Sequence, residues 1–355
     1  MAARLGDAFK SAISLFNLKA QEETRARQTV AWLLLVGTVI AGIVASPSFT
    51  RPYNIMNVLR QAVALGLVGI GQTFVILGGG FDLSVGSTIN LTSCLAAGIM
   101  DGRAQMVLPA LVVTLAVGIS IGLANGIIIS YLKVPPLIAT LGLMTILQGA
   151  VLLYTHEPVG MITPGYDYIS EGYVGFVPFP VIAFAALFAL GVFTLRRTTF
   201  GRHLYATGES EDIAHQSGIK THRVRFVTYI ICSLSATFSA LFLVARCGSG
   251  DPLLGVGYEF DSITVAIIGG TSLAGGRGGL NGTLAGVFIM SILNNILNLM
   301  GVFSWWQWVV KGGHTDRGPV HLSDTAVATR GFQRSPGPIH LDDLLSIEST
   351  GSETG

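Results

Sequence analysis

Between Arg103 and Lys133 the chain reads Ala104-Gln-Met-Val-Leu-Pro-Ala-Leu-Val-Val-Thr-Leu-Ala-Val-Gly-Ile-Ser-Ile-Gly-Leu-Ala-Asn-Gly-Ile-Ile-Ile-Ser-Tyr-Leu132, with no Asp, Glu, Lys or Arg. A helix needs about 20 apolar residues to cross the hydrocarbon core of a bilayer, and this stretch exceeds that. Residues 28–50, 61–81, 83–100, 134–155, 172–195, 226–245 and 278–310 are equally free of charge. Inside lipid the backbone must satisfy its own hydrogen bonds, so these stretches read as helices; the strands of a membrane barrel alternate polar and apolar residues instead. The fold class is therefore an all-α polytopic membrane protein with nine to ten transmembrane helices.

Working outward, the composition agrees. Hydrophobic residues make up 50% of the 355 and charged residues only 12%, against roughly a quarter charged in soluble proteins. This excludes a soluble globule. The 21 Lys and Arg nearly cancel the 20 Asp and Glu, and no basic patch points to a nucleic-acid partner. The 45 glycines suit helices that approach closely and break where a path is needed. Cys94, Cys232 and Cys247 lack paired spacing and His or carboxylate neighbours, so they read as free thiols and no metal site is expected. Residues 1–27 carry Arg4, Lys10, Lys19, Arg25 and Arg27 against Asp7, Glu22 and Glu23. Without the apolar core and cleavage site of a signal peptide, they read as a retained cytoplasmic segment.

Orientation follows from the loops. Residues 196–225 hold Arg196, Arg197, Arg202, Lys220, Arg223 and Arg225 against three acids, which places this loop in the cytoplasm. The flanking segments carry Glu157, Asp167 and Glu171 before it and Asp251, Glu259 and Asp261 after it, and are expected outside. Spans near 30–47, 60–80, 86–100, 105–130, 137–155, 178–195, 226–246, 258–274 and 280–300 then alternate, with a tenth starting near Trp305. Arg51 and Arg60 fall outside against the rule; Arg60 at a helix end can snorkel. After Lys311 the sequence turns to Gly-Gly-His-Thr-Asp-Arg-Gly-Pro, which cannot extend a span. The last span is expected to be incomplete and residues 312–355 disordered.

Two glycine-rich stretches interrupt the helices: Gly78-Gly-Gly-Phe-Asp-Leu-Ser-Val-Gly86 and Gly275-Gly-Arg-Gly-Gly279. A broken helix at membrane depth is tolerated only where protein or a cavity satisfies the freed backbone. In the first, Asp82 and Ser84 read either as solute contacts or, for Asp82, as a cap on the following helix. Gln72, Asn90, Asn125, Gln148, Asn294, Asn295 and Asn298 lie within apolar stretches. As a set they can line a wet path for a polyhydroxylated solute; singly, each can be interhelical glue. In the basic loop, Glu209-Ser-Glu-Asp-Ile-Ala-His-Gln-Ser-Gly218-Ile219 reads as a short helix capped by Ser210 and ended by Gly218. Ile213, Ala214 and Ser217 would form an apolar face for a partner.

Four motifs in order then resemble one family. They are Gly-Gly-Phe-Asp-Leu-Ser-Val-Gly-Ser (79–87), Leu-Lys-Val-Pro-Pro-Leu-Ile-Ala-Thr-Leu-Gly (132–142), Thr-Phe-Gly-Arg-His-Leu-Tyr-Ala-Thr-Gly (199–208) and Ile-Gly-Gly-Thr-Ser-Leu-Ala-Gly-Gly-Arg-Gly-Gly (268–279). From about 28 to 311 the chain resembles the ribose-type sugar permeases of bacterial ABC importers. The resemblance implies a permease domain over 28–311 in the bacterial inner membrane. Its implied partners are a second permease subunit (a homodimer), a cytoplasmic ATPase dimer and a periplasmic sugar-binding protein. It assigns ATPase coupling to the segment holding Gly201, Arg202, Glu209, Ile213, Ala214, Gly218 and Ile219. From His314 onward the chain departs from the family, as a shifted reading frame would produce.

No Gly-x-x-x-x-Gly-Lys-Ser/Thr occurs, so the chain cradles no nucleotide; ATP and its magnesium belong to the partner ATPase and no cofactor is bound here. An ion-coupled secondary transporter needs ionisable relays deep in its spans, and only Asp82 fits. An intramembrane enzyme needs a nucleophile with a positioned base, whereas His156, His203, His215 and His222 fall in loops. The solute stays open among pentoses, hexoses, polyols and nucleosides.

Overall fold

A computed structural model describes residues 26–302. The terminal segments 1–25 and 303–355, with the expected tenth span and tail, lie outside the described residues. The rest is helical. Its elements are α1 (Ala26–Ala45), α2 (Pro52–Leu77), α3 (Val85–Met100), α4 (Val107–Ser130), α5 (Pro136–Tyr154), the short α6 (Tyr168–Glu171), α7 (Phe179–Arg197), α8 (Thr199–Glu209), α9 (Glu211–Gln216), α10 (Thr221–Cys247), α11 (Tyr258–Ile268) and α12 (Leu280–Leu299). Prolines stand in the first turns of α2, α5 and α7, where the missing N–H is no loss. Between α6 and α7 a two-residue hairpin pairs β1 (Tyr173–Val174) with β2 (Val177–Pro178), an element the apolar reading of 172–195 did not contain.

The core forms around α2 and α10, with α3, α4 and α12 beside them. Close approach depends on glycine: a Cβ on Gly71 of α2 would sit 2.7 Å from Cys232 Cα, and one on Gly122 of α4 2.7 Å from Ile230 Cα. Removing the Cβ lets backbones pack where lipid offers no hydrophobic drive to hold helices together. The apolar window of α2 is 83% buried and that of α5 only 22%. Ile138, Ile146 and Leu153 of α5 are exposed, so this face meets lipid or another protein.

Seven described helices are long and apolar enough to cross a membrane. This supports a polytopic helical protein, but the remaining two expected spans differ in kind. The 16-residue α3 is short and is entered through a non-helical segment. The 11-residue α11 rises only about 16 Å and ends at Ile268, six residues before the expected end of its span. Conversely, α2 starts at Pro52 rather than near residue 60. Arg60 thus lies inside a helix and not at its end. It is held by Glu171 at 2.6 Å and the Tyr173 hydroxyl at 3.1 Å, with the Tyr173 ring 5.6 Å away, which neutralises it where the charge rule counted against it. The basic loop 196–225 is itself structured, as α8, α9 and the first turn of α10. His203, His215 and His222 therefore sit on helices, not in loops, and no metal-type cluster occurs among the described residues. Cys94, Cys232 and Cys247 are free thiols.

Candidate functional site

The first glycine break buries its carboxylate. Past Leu77 the chain leaves the helix, turns through Gly79 at φ +77°, passes irregularly through Phe81 and Asp82, and turns again at Leu83–Ser84 into α3. Asp82 is fully buried. Its Oδ1 accepts from the Ser84 N–H at 2.9 Å and the Ser84 hydroxyl at 2.6 Å. Asn125 of α4 donates through Nδ2 to Ser84 Oγ at 2.9 Å and to Asp82 Oδ1 at 3.4 Å. In the amide orientation that satisfies both of its atoms, Gln72 donates to the Asp82 carbonyl at 3.2 Å and accepts from the Asp82 N–H at 3.3 Å. Gln72, Asp82, Ser84 and Asn125 are one cluster, in which the irregular backbone finds partners that the helix no longer supplies. Asp82 Oδ2 and Asn125 Oδ1 are buried without a partner.

A second polar cluster holds a re-entrant segment. Between α10 and α11, residues 250–257 lie along α3: a Cβ on Gly250 would meet Ser93 O at 2.6 Å, and one on Gly255 would overlap Gly86 O. Ser93 and Gly86 are two turns apart, so the segment descends roughly 10 Å against α3. Asn90 of α3 accepts the Gly255 N–H at 2.5 Å and donates to Gln148 Oε1 of α5 at 2.8 Å. Gln148 in turn donates to the Pro252 carbonyl at 3.2 Å.

This descent corrects the placement of Glu259. Read as an outside acid, it is 6% exposed in the first turn of α11, accepting from the Gly257 N–H and packed on Gly86 of α3. A carboxylate there complements the amino-terminal dipole of α11. Gly255, Gly257 and the mainly apolar stretch from Ile263 to Ile268 were the available signals of a helix starting below the surface.

The remaining amides lie elsewhere. Asn295 of α12 forms a reciprocal pair with Asn54 of α2, at 2.8 and 2.9 Å. Asn294 is half-buried with Oδ1 unpartnered, and Asn298 is exposed. The path candidates thus fall into three groups, not one file, and in this conformation most of them bond to protein.

At the α8–α9 end, the local sequence builds the docking segment. Thr198 caps α8 by accepting the Gly201 N–H at 3.2 Å, and Ser210 caps α9 by accepting the Ile213 N–H at 3.4 Å. Gly201 is buried against the Leu195 carbonyl, while Arg202 is exposed. Gly218 ends α9 at φ +84°, a left-handed conformation that glycine adopts without strain. Ile213 is 66% exposed but Ala214 only 3%. Successive helical residues point about 100° apart, so Ala214 turns inward and Ile213 with Ser217 forms the outer face. Ile219 packs partly against the core. Glu209 pairs with Arg277 at 2.7 and 3.2 Å. Glu211 pairs with Arg225 at 2.7 Å, a residue whose charge marked orientation and whose contact the sequence left unread. Tyr205 donates to the Gly278 carbonyl at 3.0 Å; burial raises its phenol above the ordinary range although Arg196 opposes the shift, so it stays a neutral donor.

With this geometry in place, comparison with known proteins is specific. Residues 54–314 match the family described as branched-chain amino acid transport system / permease component. The chain belongs to this permease family. The ribose import permease protein of Bacillus subtilis (strain 168) is 43% identical over 277 residues, covering 77% of this chain and 86% of the relative. That of Escherichia coli (strain K12) is 38% identical over 295 residues, covering 80% and 92%. The galactose/methyl galactoside import permease protein of Salmonella typhimurium (strain LT2) is 33% identical over 303 residues, covering 80% and 89%. No solved structure matches the chain significantly. Membership makes the protein a ribose-type ABC importer permease: a multi-pass transport subunit of the bacterial inner membrane, not an enzyme, that works with an ATPase and a substrate-binding protein. The family description names amino acids and the relatives' names sugars, so the solute is a separate question.

Proposed function

We propose that this chain forms the translocation path of an ATP-driven sugar importer, as one half of a homodimer. What carries the sugar reading is that relatives at 33–43% identity over most of their length are named for ribose or galactose import, together with the neutral character of the buried amides. Sugar hydroxyls need donors and acceptors, and Asn90, Gln148, Asn294 and Asn298 supply them without charge. In this reading Asn90 and Gln148 exchange their protein partners for solute hydroxyls as the re-entrant segment moves. A nucleoside or another polyhydroxylated solute is the alternative cargo. The helices α3 and α11, each with the irregular segment that leads into it, complete nine passes. The exposed face of α9 docks on the ATPase, which holds ATP and magnesium.

The deciding experiment is uptake of labelled ribose into vesicles carrying the full complex with a hydrolysis-dead ATPase. Uptake is expected to stop. Persistent uptake would reject ATP drive and favour an ion-coupled mechanism through Asp82 and Glu259. For docking, a side chain at Gly218 meets nothing within 4 Å, so its penalty is conformational, about 1–2 kcal/mol in the left-handed region. Gly218→Val is expected to weaken ATPase stimulation, while Gly218→Asn, which tolerates that region, should retain most of it. Equal stimulation in both variants would remove Gly218 from the docking account.

A further inference from the structure

Three backbone segments from distant parts of the chain meet beside α8. A Cβ on Gly208 would overlap the Leu77 carbonyl and stand 2.5 Å from the Gly276 N, and one on Gly275 would stand 2.9 Å from Gly208 O and 3.0 Å from Gly79 N. The Gly276 N–H donates to the Leu77 carbonyl at 3.0 Å. The second glycine break is thus hydrogen-bonded to the last residue of α2 at the entry to the first, almost 200 residues away in sequence, with the end of α8 wedged between them. Side chains tie the same point from both sides. Arg277, in the α11–α12 break, grips Glu209 through two nitrogens, at 2.7 and 3.2 Å. Arg225 donates through Nε to the Gly78 carbonyl of the α2–α3 break at 3.1 Å, and its Nη1 pairs with Glu211 in the first turn of α9 at 2.7 Å.

From this juxtaposition we infer that Arg225 and Arg277 are positioning residues that fasten the α8–α9 segment to both broken helices, so that one displacement of that segment moves both breaks together. The inference rests on the reading of α9 as the ATPase-docking helix and adds where its motion goes. Backbone contact at three glycines leaves no compliant side chain to absorb a shift, and close-packed interiors transmit strain instead of damping it. The Arg277–Glu209 pair is planar and two-pronged, so it fixes direction as well as distance. Arg225 carries the same displacement to the segment leading to Asp82 and Ser84.

A charge exchange tests this in the assembled complex. Glu209→Arg and Arg277→Glu, made singly, are expected to reduce solute-stimulated ATP hydrolysis by about 5- to 150-fold, the range of ordinary coupling free energies. In the Arg277→Glu variant the ATPase should still co-purify with the permease at its normal ratio. The double exchange is expected to recover most of the stimulation, which a merely structural role for either residue does not require. Tyr205→Phe, which deletes only the hydroxyl bonded to Gly278, is the gentler variant should a single exchange fail to assemble; it should lower stimulation with docking intact. Normal stimulation in the single variants or in Tyr205→Phe, or no recovery in the double exchange, would overturn the inference. Loss of co-purification in the Gly218→Val variant concerns docking itself and so separates failure of that reading from failure of this one.

Discussion

The two ends of this molecule hold their irregular backbone by different chemistry. At the α8–α9 end, the breaks are fastened by arginine–carboxylate pairs whose side chains are a quarter to about half exposed. At the re-entrant segment, 250–257 is fastened by two uncharged amides, Asn90 and Gln148, with Asn90 almost fully buried. Water screens an exposed ion pair, so each adds little to stability. A buried amide has no such substitute, so its release exposes unpaired donors and acceptors. The end proposed to receive motion from an ATPase is therefore held by pairs that set its direction at little cost in stability, whereas the 250–257 segment opens only when something replaces its hydrogen bonds. A hydroxylated solute is such a replacement.

The contrast breaks first at its tightest point. Gly208→Val forces a side chain into the Leu77 carbonyl, and overpacking of this kind destabilises by about 1–3 kcal/mol or more; thermal unfolding in detergent should show the largest drop of any variant considered. Gly149→Ala in α5, where a Cβ meets nothing within 4 Å, is the matched control and should be neutral or gain up to about 1 kcal/mol. Next, Asn90→Leu strands the Gly255 N–H and the Gln148 Oε1. Its expected cost is about 1–3 kcal/mol, read as faster hydrogen exchange at Gly255 with no change at Gly276. The smallest effect falls to Glu211→Gln. Losing one exposed pair costs below about 1 kcal/mol, and the difference from wild type should shrink further in about 1 M salt, where the Debye length falls to about 3 Å. If Glu211→Gln proves costlier than Asn90→Leu, the proposed division of labour between the two ends is wrong.

Much of the site was legible as chemistry and not as geometry. Gly78–Gly86 and Gly275–Gly279 announce broken helices because glycine runs cannot continue one, and Ser210 with Gly218 bounds a short helix by capping rules alone. The partners of these residues were not legible. Asp82 meets Asn125, Asn90 meets Gly255, and Glu209 meets Arg277 across separations that local pattern does not encode. Glu259 was misplaced for the same reason: its charge argues for water, and only the descent of 250–257 along α3 takes it beneath the surface. The inward turn of Ala214 was readable from helical periodicity, but only once its neighbours in space were known.

The sequence by itself determined that this chain lives in a bilayer as a bundle of helices, because long uncharged stretches have no other way to satisfy both their side chains and their backbone. It also determined the family, through four ordered motifs. Only the tertiary structure decided that two glycine breaks form a single junction with the end of α8, and that the polar residues divide into separate clusters. Periodicity and capping act within a few residues, whereas these features arise from contacts between segments that the chain brings together from 43 to 241 residues apart.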